Sequence, residues 1–257
     1  MKMYKTLKMA TVFAFILISL TPAASAEELV IGLGNFEPHF VKEGNTGLFT
    51  DLVKETFALL PQYQLKFRHR MSVRRVVKEL NSGRIDAGAN VFGPDVKGYV
   101  SEPLFRFTDV AVTLKSRNLV IRQVSDLKGK SLITYQGAKI VLGREFVETA
   151  ETCSSYMEVP EGITQAKMVA RGRYGVSVGD IYVFLHSLRV WSGGKYKPDQ
   201  FEFHRIFPDI YTRMGFKDKR VCDDFNRALR EIKKNGKYEA LYERYLRELG
   251  YLVDNSK

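Results

Sequence analysis

Residues 81–91, Asn81-Ser82-Gly83-Arg84-Ile85-Asp86-Ala87-Gly88-Ala89-Asn90-Val91, decide how the rest of the chain is read. Asn-Ser-Gly stops a helix, because glycine readily takes the left-handed conformation that a helix C-terminus needs. Ile85–Val91 then returns as a strand of small residues. Working backwards, Val73, Val76, Val77 and Leu80 fall on one helical face, and Ser72 stands where an N-cap belongs. Tyr63–Phe67 alternates like a strand. Leu52, Val53, Thr56, Phe57 and Leu60 form an earlier helical face closed by Pro61, and Leu29–Leu33 is an apolar run ending in Gly34-Asn35. Strand–helix–strand–helix–strand with short turns predicts a parallel α/β sheet.

Working forwards, a second set follows. Ser131–Tyr135 reads as a strand, and Gly137 opens a helix through Phe146. Ile163–Ala170 is helical, Gly175–Val178 a strand and Asp180–Leu188 a helix. Two α/β sets predict two lobes. Val110–Leu114 between them is extended, with no Pro/Gly/Ser-rich linker. The C-terminal stripes Phe225, Leu229, Ile232 and Tyr238, Leu241, Tyr242, Tyr245, Leu249 predict two helices broken at Asn235-Gly236.

The 257 residues are 45% hydrophobic and 12% aromatic, which excludes wholesale disorder. Forty Lys and Arg against 29 Asp and Glu give a net charge of +11. Part of that belongs to the N-terminus. Lys2, Lys5 and Lys8 precede the apolar run Met9–Leu20, and Ala24-Ser25-Ala26 supplies small residues at the specificity positions of a signal-peptidase site. The run is too short to span a membrane, and no cysteine follows it to carry a lipid. Residues 1–26 therefore read as a cleaved secretory signal. Removing 26 of 257 residues leaves 231, and three of the eleven excess charges leave with them. Export places Cys153 and Cys222 in an oxidising compartment, where they form either one disulfide or two buried thiols; spacing does not choose.

Motifs for covalent or cofactor chemistry fail on inspection. Gly175-Val176-Ser177-Val178-Gly179 fits a nucleophile elbow in letters, but Ser177 lies mid-strand between valines instead of at a sharp turn. His39, His69, His186 and His204 are too widely spaced for a metal pair, and Glu37 stands where a third dinucleotide-loop glycine belongs. The cluster Lys66, Arg68, His69, Arg70, Arg74, Arg75 and Lys78 carries no nucleic-acid module. It reads either as a solvated face or as the source of one arginine that clamps an anion. Two strand-to-helix turns also suit a ligand. Tyr135-Gln136-Gly137-Ala138 offers free backbone N–H groups to an anion, and Gly179-Asp180 offers a carboxylate to an ammonium while also capping a helix.

Taken in order, the motifs resemble those of the type 2 periplasmic solute-binding proteins, specifically the bacterial extracellular solute-binding proteins of family 3, over nearly all of residues 28–250. The resemblance rests on Glu28–Gly32, Phe36 with Pro38-His39-Phe40, Gly47–Leu52, Asn81–Ala87, Ser101–Phe105, Asp126–Lys130, and Phe225–Leu246 with its break at Lys234–Tyr238. It implies an α/β fold of two lobes, each a mixed, mostly parallel sheet flanked by helices, joined by two hinge strands. Lobe one would comprise residues 27–109 and 210–257, and lobe two residues 110–209.

The resemblance further implies a monomeric periplasmic protein without a cofactor, binding no nucleic acid. It would capture a small polar solute, an amino acid or related carboxylate, for a membrane ABC permease. By position, Phe36, Arg75, Asn90, Phe92, Gln136, Gly137, Ala138 and Asp180 are the expected ligand contacts. The family's carboxylate-clamping arginine loop is missing, since Asn90-Val91-Phe92-Gly93-Pro94-Asp95-Val96-Lys97 contains no arginine. Either Arg75 or Lys97 replaces the clamp, or the solute is not a standard amino acid. The chain is expected not to be an enzyme. A dehydratase on this fold is the alternative, and would need a cleft acid such as Glu37 or Glu102; a sensor without a transporter is another.

Overall fold

Alternation of apolar runs with turn formers builds the chain into eleven strands and eight α-helices within residues 26–252, which the computed structural model describes. The expected signal segment lies outside these residues except for Ala26. In chain order the elements begin with β1 (Glu27–Gly32), α1 (Leu48–Phe57), β2 (Tyr63–Arg68), α2 (Val73–Asn81) and β3 (Ala87–Val91). Then come β4 (Tyr99–Val100), β5 (Phe105–Phe107), β6 (Asp109–Leu114), β7 (Ser131–Tyr135), α3 (Ala138–Val141), α4 (Gly143–Ala150) and β8 (Ser155–Val159). The rest are α5 (Gly162–Ala170), β9 (Val176–Asp180), α6 (Ile181–Ser192), β10 (Phe201–His204), β11 (Ile210–Phe216), α7 (Lys219–Lys234) and α8 (Lys237–Glu248).

Two mixed sheets result. The first runs β2-β1-β3-β11-β4, with β5 also on β11; β1, β2 and β3 are parallel and the others antiparallel. The second runs β10-β6-β9-β7-β8, with β7, β8 and β9 parallel. The chain passes from the first sheet to the second at Phe107–Asp109 and returns between His204 and Ile210.

The opening stretch behaves as its letters imply. Ser72 Oγ accepts the Arg75 N–H at 3.3 Å to start α2, and Val76 and Leu80 are buried beneath it. Strand β3 is buried along its whole length, and its small residues bring the helix close. A Cβ on Gly88 would lie 2.4 Å from Val76 Cγ1, so only glycine lets α2 approach this strand without repacking. Leu33, Phe49, Phe105, Phe216 and Phe225 are among the fully buried side chains of the main core. Helices α7 and α8 pack on α1 and close that core.

Some local expectations change. The helix expected from Gly137 through Phe146 breaks at Leu142-Gly143, where Gly143 has φ +83°, leaving α3 only four residues long. Cys153 and Cys222 are both free thiols. Cys153 points at the Leu127 and Thr149 carbonyls beside α4, whereas Cys222 is buried in the main core on α7, so each is held in separate packing. Burial pushes the Cys222 thiol up to about 11.

Candidate functional site

A cavity of about 700 Å³ lies where the two sheets meet at the first crossing. From the first sheet's side it is walled by Phe36, Phe92 and Phe107. From the second come Tyr135, Gln165, Ser177 and Asp180, with the start of α5 and the Val183–Val190 face of α6. The crossing itself supplies Asp109.

Asp180 ends β9 and begins α6. Its Oδ1 accepts the Tyr182 and Val183 N–H groups at 3.0 and 3.1 Å, so the carboxylate caps the helix and sits at its positive end. The same oxygen meets the fully buried His39 Nε2 at 3.1 Å, and Oδ2 accepts the Thr108 N–H at 3.0 Å. The loop after β1 and the first crossing thus both converge on the acid that opens α6. His39 also stacks on Phe49, with ring centroids 4.1 Å apart.

Asp109 stands directly across from Asp180 in the antiparallel β6–β9 register. Opposed residues in such a pair share a face, so the two carboxylates are neighbours. Asp109 is only 4% exposed, and its Oδ2 accepts the Tyr135 hydroxyl at 2.9 Å. Burial first, and then Asp180, push its carboxyl up to about 7, with the Tyr135 hydrogen bond opposing. Tyr135 is driven well above the usual phenol value by its own burial and then by Asp109. At the mouth, His186 Nε2 lies 3.1 Å from Glu37 Oε2. Burial nonetheless holds the imidazole below its ordinary value, against the pull of Glu37.

The expected contacts divide. Phe36, Phe92 and Asp180 line the cavity. Arg75 does not. Its side chain is 62% exposed on α2 and points toward Glu79 at 4.0 Å, because the apolar stripe of that helix turns the opposite face to the core. Lys97 is exposed as well. Asn90 adopts φ +60° and turns inward, its Oδ1 accepting the Thr212 Oγ1 hydroxyl at 2.6 Å across to β11. Gln136, Gly137 and Ala138 lie outside the cavity lining. The Gly137 N–H does meet an anion, but it is the chain's own Glu158 Oε2 at 2.9 Å, with the Tyr156 hydroxyl on Oε1 at 2.6 Å. Tyr156, then the Gly137 N–H, hold the Glu158 carboxyl below its ordinary value.

Ser177 lies within β9 and donates to Gln165 Oε1 at 3.0 Å, with no base positioned on it. Of the cleft acids a dehydratase would use, Glu37 lines the cavity, whereas Glu102 is paired with Arg230 on the surface. Sequence reading missed Asp109, Gln165 and the α6 face, and marked Tyr135 only as the start of a backbone turn, not for the hydroxyl it donates to Asp109. The one available signal was an acid heading the otherwise apolar run Asp109-Val110-Ala111-Val112.

The model for bacterial extracellular solute-binding proteins, family 3, matches residues 29–248. A probable amino-acid ABC transporter extracellular-binding protein from Bacillus subtilis is 19% identical, with 86% of this chain and 98% of that one covered and a TM-score of 0.69. The GluR0 ligand-binding core in complex with L-glutamate is 13% identical, with 86% and 99% covered and a TM-score of 0.66. An amino acid ABC transporter substrate-binding protein from Streptococcus pneumoniae, bound to L-arginine, is 17% identical, with 86% and 95% covered and a TM-score of 0.59. At these identities the likeness is one of fold. No curated protein sequence matches the chain.

Proposed function

The chain belongs to the bacterial extracellular solute-binding proteins, family 3, and from that premise we propose that it is an exported receptor that delivers a small polar solute, an amino acid or a related amine, to a membrane ABC permease. The observation that carries this reading is a cavity lined from both sheets, with Phe36 and Phe92 contributed from one and Asp180 from the other. In this reading residues 27–109 with 210–257 form one lobe and 110–209 the other, and both turn about the two crossings. Only the closed arrangement lets a solute touch both walls at once, so binding favours closure. Phe36 and Phe92 wall the solute, and Asp180 receives its ammonium. The leader 1–26 directs export, and the protein works as a monomer in the periplasm.

The charge of the cavity speaks against the dehydratase alternative. Prephenate carries two carboxylates and no ammonium to offset them, and the lining contains Glu37, Asp109, Glu161 and Asp180 with no Lys or Arg. Titration calorimetry against amino acids, amines and small anions tests the reading. A saturable, one-to-one binding heat for at least one of these solutes is expected. Silence across the whole panel, or turnover of prephenate, would overturn it.

A further inference from the structure

The cavity lacks the cationic side chain that would clamp an amino-acid carboxylate. Among the described residues lining the cavity, four bear carboxyl groups and none is Lys or Arg. His186 is the one titratable base there, and its burial favours the neutral form. The backbone seat at Gly137 is already filled by Glu158. Asp109, by contrast, is buried at the cavity wall with one oxygen taken by Tyr135, and its Oδ1 has no hydrogen-bond partner among the described residues. Around it the lining is largely apolar: Phe36, Phe92, Phe107, Ile163, Phe184 and Val190.

We propose that the cavity takes an organic cation, an ammonium group on an apolar body, with Asp109 and Asp180 together receiving the ammonium and no cationic clamp provided for a carboxylate. This deepens the solute-capture reading and rests on it. A cation seated between two neighbouring carboxylates removes their mutual repulsion, and the water-poor site strengthens both attractions. Aromatic faces add attraction for the same charge. A zwitterion of equal size gains nothing more, because its carboxylate must sit among four acids with no Lys or Arg to meet it.

A proton accompanies the cation. Asp109, with its carboxyl pushed up to about 7, is about half protonated at neutral pH, and an arriving ammonium displaces that proton. The groups acting around it are Asp180 from β9, Tyr135 from β7, Glu161 at the start of α5, Glu37 with His186 at the mouth, and His39 behind Asp180. Beside the crossing, Asp209 accepts the Thr108 hydroxyl and lies 3.9 Å from Arg106 Nε. Amine affinity therefore rises about tenfold from pH 6 to pH 8.

The test is calorimetry on the purified protein with phenethylamine, cadaverine, their parent amino acids phenylalanine and lysine, and glutamate, at pH 6 and 8 in buffers of different ionisation heat. Phenethylamine is expected to bind at least tenfold tighter than phenylalanine and tighter than cadaverine, with proton release near neutral pH. Asp109→Asn should weaken it at least tenfold and abolish the proton release. Tyr135→Phe keeps the cavity's shape but removes the opposing hydrogen bond, so binding at pH 7 should weaken severalfold; this variant decides the matter if Asp109→Asn does not fold. An amino acid or glutamate binding as tightly as phenethylamine, cadaverine binding more tightly than it, or either folded variant binding like wild type would overturn the proposal and leave solute capture standing. No binding by any of the five would overturn the proposal, and solute capture falls with it only if the wider panel of amino acids, amines and small anions is silent too.

Discussion

Asp109→Asn should stabilise the protein, and by an amount that depends on pH. The native carboxyl holds its proton up to about 7, whereas the unfolded one releases it near 3.8. Between those values the native state binds more protons, so wild-type stability falls as pH rises through that window and levels off above it. At about 1.4 kcal/mol for each tenfold, the full penalty is about 4 kcal/mol. Asparagine has the same shape and can still accept the Tyr135 hydroxyl, yet it never carries the charge that burial and Asp180 oppose. Its own cost, an amide in a mostly apolar wall, does not vary with pH. Urea denaturation of both proteins at pH 5, 6, 7 and 8 separates the two contributions. The stability of the variant relative to wild type should grow by about 2 to 3 kcal/mol from pH 5 to pH 8. A difference that stays constant across the series would refute the argument that Asp109 is a buried acid strained by Asp180.

Other substitutions probe the site and the fold separately. Phe92→Ala, at a cavity-wall residue that is 58% exposed, should weaken solute binding by about tenfold in calorimetry while leaving the melting temperature within a degree or two. Arg75→Ala should change neither affinity nor its salt dependence, because the side chain lies outside the cavity on the solvent face of α2. Gly98→Ala should be costly, by about 3 kcal/mol in denaturant, since its Cβ would lie 2.1 Å from the Phe216 carbonyl oxygen, which cannot move without shifting β11.

Much of the architecture was legible because it is local. Ser72 caps α2, Ser131–Tyr135 is a strand, and Asn235-Gly236 separates α7 from α8. The strands made by the return crossing were not. Phe201–His204 and Ile210–Phe216 pair antiparallel with segments about a hundred residues earlier, and nothing within their own letters announces that. The cavity divides in the same way. Asp180 and Phe36 sit at turns that the sequence marks, whereas Asp109 gains its place only through registration against Asp180. At Gly137 the physics was correct and the partner was not: the amide does bind a carboxylate, one supplied by Glu158.

The roles gathered on Asp180 bear on how such a receptor can evolve. One carboxylate starts α6, accepts the loop carrying His39 and holds the crossing at Thr108. A lineage that changes this residue loses part of its fold together with any grip on cargo, so selection sees a single, nearly immovable character. The apolar rim is different. Phe92, Val141, Ile163 and Val190 border the same cavity while remaining well exposed, and little else leans on them. Drift in cargo preference has an open path there, one side chain at a time, with the charged floor held constant by the demands of folding.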